Sequence, residues 1–189
     1  MLRMLPLLGA LVQAPAPSLT LEIRVFQGTE EVTGQTRVTI HRAGDRSAAV
    51  AQAHGPQGPY AFIVPQGIYD AQIVREKEGR VLNIRWAERL IVMPYPDEGG
   101  RHLEVVNFTN GYGALQVRTS RASGLPDVGL FPVGERAREA AKHPRRGDGY
   151  LLFVVPAGRY DLQVKDVPQP AWHADLEVPL DRTRLWVIK

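Results

Sequence analysis

Two aspartates are the first residues in this sequence whose type and spacing could support chemistry. Asp70 and Asp161 each close the same short pattern, P-x-G-x-Y-D, built once from Pro65, Gly67, Tyr69 and Asp70 and again from Pro156, Gly158, Tyr160 and Asp161. Paired carboxylates can act as general acid and general base. Each of these two, however, follows a turn and lies on the strand face opposite a tyrosine suited to a core, which describes a solvated or turn-stabilising aspartate. Catalytic groups seldom duplicate neatly in a repeat, whereas residues that hold a fold must. The chain carries no G-x-S-x-G, P-loop or dinucleotide fingerprint. Its five histidines, His41, His54, His102, His143 and His173, form no close ligand pair. The absence of cysteine excludes disulfides, thiolate metal sites and thiol catalysis. The expectation is a protein that is not an enzyme, with no catalytic, metal or cofactor-binding residue and no cofactor.

Aromatic residues offer a second kind of chemistry. Trp86 and Trp172 recur in matching stretches, WAERLIV and WHADLEV. Exposed, they would be platforms for sugars; buried, they would be core tryptophans. Tyr95 and Tyr112 lie in Pro-rich and Gly-rich segments where no core asks for them. These four are the candidate ligand contacts. The mildly basic run Arg136–Gly149 contains Arg146-Gly147-Asp148, which reads as ordinary turn chemistry before a strand.

The elements that must position these residues come in two copies. Ile63–Ile73 and Val154–Val164 align at an offset of 91 (156 − 65), and Phe62 matches Phe153 at the same offset. Gly44-Asp45-Arg46 aligns with Gly134-Glu135-Arg136, Leu21–Val25 with Leu115–Thr119, and Leu103–Phe108 with Leu185–Lys189. Five blocks in one order describe a duplicated domain. Alternation marks the strands. Leu19, Leu21, Ile23 and Val25 share one face, and Thr20, Glu22 and Arg24 the other, wet one. Val38 and Ile40 repeat the pattern, as do Tyr160, Leu162 and Val164, and Leu103 with Val105. Pro65 and Pro156 end strands. Gly67 and Gly158 supply a turn with φ > 0, and Tyr69 and Tyr160 send a ring inward while the hydroxyl meets backbone. The one helix-like stretch, Gly134–His143, aligns with Gly44–His54 and reads as a loop or short turn between two strands. The fold class is all-β: two tandem antiparallel β-sandwiches, each of six or seven strands. The boundaries fall at 1–18 for a signal peptide, 19–108 for the first sandwich, 109–113 for a linker and 114–189 for the second. A linker of five residues sets the two end to end with little freedom.

The repeated strands, P-x-G-x-Y-D corners and W-x-x-x-L-x-V strands resemble bacterial immunoglobulin-like and prealbumin-like sandwiches. These include carboxypeptidase-regulatory-like modules and the accessory domains that follow von Willebrand factor A domains. The resemblance covers Leu19–Phe108 and Leu115–Lys189 and implies a structural, adhesive or ligand-binding role in exported proteins. Export is also read from the start of the chain, where Arg3 precedes the apolar run Met4–Val12 and the A-x-A pattern Ala14-Pro15-Ala16. That run is too short to span a bilayer. The net charge of +3, with basic and acidic residues interspersed, argues against nucleic acid as a partner. The functional expectation is an exported binding, adhesion or scaffold module, periplasmic or extracellular. Its partner is another envelope protein or a surface polymer; a carbohydrate-binding protein is the alternative.

Overall fold

The structure is a computed structural model and describes residues 18–95, 100–120, 124–141, 144–165 and 170–189. Most of the expected signal segment, and His143, lie outside the described residues. The architecture is all-β apart from a three-residue 3-10 turn at Thr33–Gln35.

The first sandwich holds β1 (Ser18–Gln27), β2 (Glu30–Glu31), β3 (Thr36–Arg42), β4 (Asp45–His54), β5 (Tyr60–Pro65), β6 (Gly67–Lys77), β7 (Arg80–Val92) and β8 (Arg101–Asn107). One sheet has β1 between β5 and β8, with β2 extending the β5 side; the other runs β4-β3-β6-β7. The second sandwich holds β9 (Tyr112–Thr119), β10 (Val128–Pro132), β11 (Arg145–Gly147), β12 (Tyr150–Pro156), β13 (Gly158–Val164), β14 (Ala171–Val178) and β15 (Thr183–Ile188). Its sheets run β11-β12-β9-β15 and β10-β13-β14. The two halves pair equivalent strands in the same register. Leu21 faces Phe62 in one and Leu115 faces Phe153 in the other, both antiparallel. In each half the first and last strands lie side by side in parallel, β1 with β8 and β9 with β15.

The alternation expected for β1 places Leu19, Leu21, Ile23 and Val25 in the first core, with Phe62 from the neighbouring β5 and Val38, Ile40, Tyr69 and Ile73 from the facing sheet. Leu115, Val117, Phe153, Tyr160, Leu162 and Val164 build the second core. Burying these side chains supplies the main drive for each sandwich.

Four expectations are corrected. Gly44–His54 is not a loop: Asp45 to His54 form the edge strand β4, whose Ala51 and Ala53 pack against the first core. Its counterpart in the second half has charges at Arg136, Arg138 and Glu139 and stays a turn, joined to the sheet backbone, among the described residues, by an isolated bridge from Leu130 to Ala141. Among the described residues the first half therefore has eight strands rather than six or seven, the two-residue β2 included. Gly67 and Gly158 do not need positive φ; both begin strands with ordinary backbone angles, and the ring of the following tyrosine lies over the glycine. Tyr112 and Gly113 are not linker residues but the start of β9.

The largest correction concerns the wet face of β1. Glu22 is 2 % exposed and Arg24 is also buried. The two sandwiches are not end to end. The outer face of the β1 sheet packs on the outer face of the β12 sheet, and a third apolar cluster fills the seam: Phe26, Leu103 and Val105 from one half, Ala114, Leu152 and Val154 from the other, with Tyr150. Leu103 and Val105 therefore cover the second sandwich instead of entering the first core. Strands β1 and β12 are buried on both faces: Leu151, Phe153 and Val155 of β12 enter their own core while Tyr150, Leu152 and Val154 face the seam, and of the apolar residues of β1 Phe26 does so.

Candidate functional site

The sequence signals converge on two corners, one per sandwich, with the same parts. Proline ends β5 or β12, the chain turns in one residue, and β6 or β13 begins at glycine. The tyrosine hydroxyl donates back across this turn, Tyr69 to the Pro65 carbonyl at 2.6 Å and Tyr160 to the Pro156 carbonyl at 2.6 Å. The aspartate that follows is buried, not solvated. It reaches the next strand at a bulge: Asp70 Oδ1 accepts from the Arg89 amide at 2.9 Å, and Asp161 Oδ1 from the Asp175 amide at 3.0 Å. Both bulge residues have positive φ, 56° at Arg89 and 64° at Asp175. The carboxylate satisfies an amide that the ladder leaves without a partner.

An arginine from the aligned Gly-acid-Arg segment completes each corner. Arg46 Nη2 lies 3.4 Å from Asp70 Oδ2, and Arg136 Nε lies 3.6 Å from Asp161 Oδ2. The same guanidinium groups cover the tryptophans, Arg46 at 3.9 Å from the Trp86 ring centre and Arg136 at 4.4 Å from that of Trp172. Arg46 also pairs with Glu88. Trp86 and Trp172 are half-buried, on separate sheets, each on the face away from its own core. They do not form a shared platform, and an arginine occupies the ring face on which a sugar would stack.

Open hollows lie beside both corners. One of about 410 Å³ is lined by Arg42, Ile68, Asp70, Glu88 and Arg89 among others. The other, about 300 Å³, lies between Pro132, Arg138, Pro156 and Tyr160. The titratable groups they gather are largely committed: Asp70 to Arg46 and the Arg89 amide, Glu88 to Arg46, Arg159 to Asp175, and Glu139 to Lys165 at 2.6 Å. Among the described residues, no three histidine, aspartate or glutamate side chains converge as metal ligands.

The remaining candidates separate. Tyr95 is exposed just beyond β7. Tyr112 sits in β9 against the seam cluster, away from Tyr95's segment. Arg146-Gly147-Asp148 ends β11 and enters its hairpin turn, with Asp148 3.2 Å from Arg101 of the first half.

Two features were not singled out from the sequence. The first is the β6–β7 hairpin, reversed by Glu78 and Gly79, both at positive φ as a tight hairpin turn requires. Near its tip Val81, Leu82 and Ile84 are 55 %, 51 % and 56 % exposed. The run RVLNIRW is apolar enough to have flagged it. The second is the polar centre of the seam. The Tyr150 hydroxyl donates to Glu22 and accepts from Arg24 at 3.3 Å. Arg24 grips Glu31 through two bonds of 2.9 and 3.0 Å, and Arg101 reaches the far oxygen of Glu22 at 3.2 Å. Burial, and then the bond to Glu22, push the Tyr150 phenol well above its ordinary pKa. Glu22 and Tyr150 are 128 residues apart, so no local pattern joins them.

No family model matches this chain, and no curated protein matches it. Among solved structures it is similar to the TIE protein of Bacillus anthracis, at 17 % identity and a TM-score of 0.33, covering 90 % of this chain and 33 % of that one. A candidate adhesin from Bacteroides ovatus is 12 % identical with a TM-score of 0.32, covering 96 % and 95 %. The tip fimbrial protein Mfa3 of Porphyromonas gingivalis, with a C-terminal truncation, is 10 % identical with a TM-score of 0.32, covering 90 % and 94 %. The chain thus spans a third of the TIE protein's length. Likeness at this level assigns neither fold nor activity, and the architecture stands on the strand pairing above.

Proposed function

We propose that the protein is an exported, non-enzymatic binding, adhesion or scaffold module of the cell envelope, made of two immunoglobulin-like or prealbumin-like sandwiches, spanning 18–108 and 112–189. The observation that carries this reading is the β6–β7 hairpin. Its exposed Val81, Leu82 and Ile84 serve no core, and exposed apolar clusters of this kind mark contact surfaces. The second half keeps the same corner but has much shorter β13 and β14 strands. The corners themselves are spent on the fold, since each aspartate, arginine and tryptophan is engaged by another residue of the same corner.

Fractionation of the native host tests this reading. A tagged chain should be recovered with the envelope or the medium, lacking its first residues, and should resist release by salt. Leu82→Asp with Ile84→Asp should leave the melting temperature unchanged and release the protein from the envelope. A full-length chain confined to the cytoplasm would overturn the export reading. Unchanged retention of the double variant would overturn the role of the hairpin.

A further inference from the structure

The seam between the two sandwiches joins equivalent faces at strands that are not equivalent. Register fixes the equivalences. Thr20, Glu22 and Arg24 of β1 correspond to Ala114, Gln116 and Arg118 of β9, and Ala61 and Ile63 of β5 to Leu152 and Val154 of β12. Leu103 and Val105 of β8 correspond to Leu185 and Val187 of β15. In the seam, the β1–β8 side of the first half meets the β12–β9 side of the second. Val105 and Glu104 of β8 reach the start of β15, where the Val105 amide donates to Thr183 Oγ1 at 2.8 Å and the Thr183 amide to Glu104 at 3.1 Å.

Among the described residues, this offset leaves one strip on each half that the other half does not cover. On the first half it is the outer face of β5, where Ile63 is 69 % exposed although its counterpart Val154 is buried. On the second it is the outer face of β15, where Leu185 and Val187 are half-buried although Leu103 and Val105 are buried almost completely. Beside that strip a hollow of about 450 Å³ is lined by His173, Leu185, Trp186, Val187 and Lys189. The bare strips are the two sides of the contact the chain already makes internally, one on each half.

We propose that the β15 strip of one copy of this chain seats the β5 strip of a second copy, extending the internal seam as a lap joint. A contact between different surfaces does not pair off as a two-fold dimer does, so it builds rings or open chains of copies. The joint is weaker than the seam, because the counterpart of Tyr150 is Pro59, just before β5, and the bonds that Glu22 and Arg24 make with a tyrosine have no equivalent. This inference rests on the pairing of the strands and stands apart from the export reading and from the hairpin.

Sedimentation equilibrium of the purified protein, followed from micromolar concentrations to about 1 mM, where an affinity of about −4 kcal/mol becomes visible, tests it. The average mass should rise with concentration beyond that of a dimer. Ile63→Asp should hold the protein monomeric, and so should Leu185→Asp, each with an unchanged melting curve. Leu185→Thr keeps the strand and should weaken association where the aspartate disturbs folding. An equimolar mixture of Ile63→Asp and Leu185→Asp retains one intact joint, so it should form dimers and stop there. A strictly monomeric wild type, a wild type that stops at dimers, or an Ile63→Asp variant that associates like the wild type would overturn the proposal.

Discussion

At the scale of single residues, the corner aspartates decide the most. Asp161 is buried, bonds the amide of a residue with positive φ, and faces Arg136. Asp161→Ala strands that amide and one guanidinium, and an unsatisfied buried group costs about 1–3 kcal/mol. Chemical denaturation should therefore show a loss of about 2 kcal/mol, with Asp161→Asn, which keeps an acceptor oxygen, losing less. Equal losses for the two variants would mean that Oδ1 does not hold the bulge. The P-x-G-x-Y-D pattern was legible because all its partners lie nearby in sequence or in the matching repeat, and the tyrosine bond to backbone follows from it directly. The aspartate's partner was not legible. It is an amide 14 residues on in the second half and 19 in the first, at a bulge that no side-chain alternation announces.

At the scale of elements, glycines separate turn geometry from close approach. Gly158 has an ordinary φ, and an added Cβ would meet only the Tyr160 ring at 3.7 Å, a normal contact. Gly158→Ala should be neutral or stabilise by about 0.5 kcal/mol, because the unfolded chain loses freedom. Gly113 differs: an added Cβ would fall on the Pro179 carbonyl. Gly113→Ala should lower the melting temperature by several degrees, corresponding to about 1–3 kcal/mol. Comparable melting curves for the two variants would refute the assignment. Strand positions were readable wherever large apolar residues alternate, as in β1 and β6. They were hidden where alanine does the alternating: β4 seats Ala51 and Ala53 against the core with almost no hydrophobic signal, and its aligned partner in the second half is a turn.

At the scale of the whole molecule, the seam contributes to the response to alkali, beside Tyr60, Tyr69 and Tyr160, whose phenols burial also raises. The Tyr150 pKa is raised in the folded protein above its unfolded value of about 10. The folded state then holds the proton more tightly, so the stability contributed by Tyr150 is fully present below about pH 10 and is lost as pH rises above it. Denaturation curves should show stability falling above about pH 10, and Tyr150→Phe should flatten that fall while costing stability at neutral pH. A variant with the wild-type alkaline slope would place the sensitivity elsewhere. The seam was the least legible part of the molecule. Glu22 and Arg24 alternate with a core face as solvated residues do, and only a second sheet laid over them explains their burial.

The parallel pairing of first and last strands has a mechanical consequence. Because β1 and β8 run the same way, the start of β1 and the end of β8 lie at opposite ends of their ladder. Tension applied to those two ends acts along the strands and loads seven residue pairs, Thr20 with Arg101 through Phe26 with Asn107, in shear and all at once. The second sandwich repeats this with six pairs between β9 and β15. Forced unfolding is governed by the barrier to rupture, and a ladder that must break in one step gives a higher barrier than one peeled rung by rung. Pulled by its two ends in a force spectrometer, the chain should resist strongly and then give way in two abrupt steps, one per sandwich. Gradual extension at low force would show that the ladders do not carry the load. A module built in this way transmits tension along its length with little stretch.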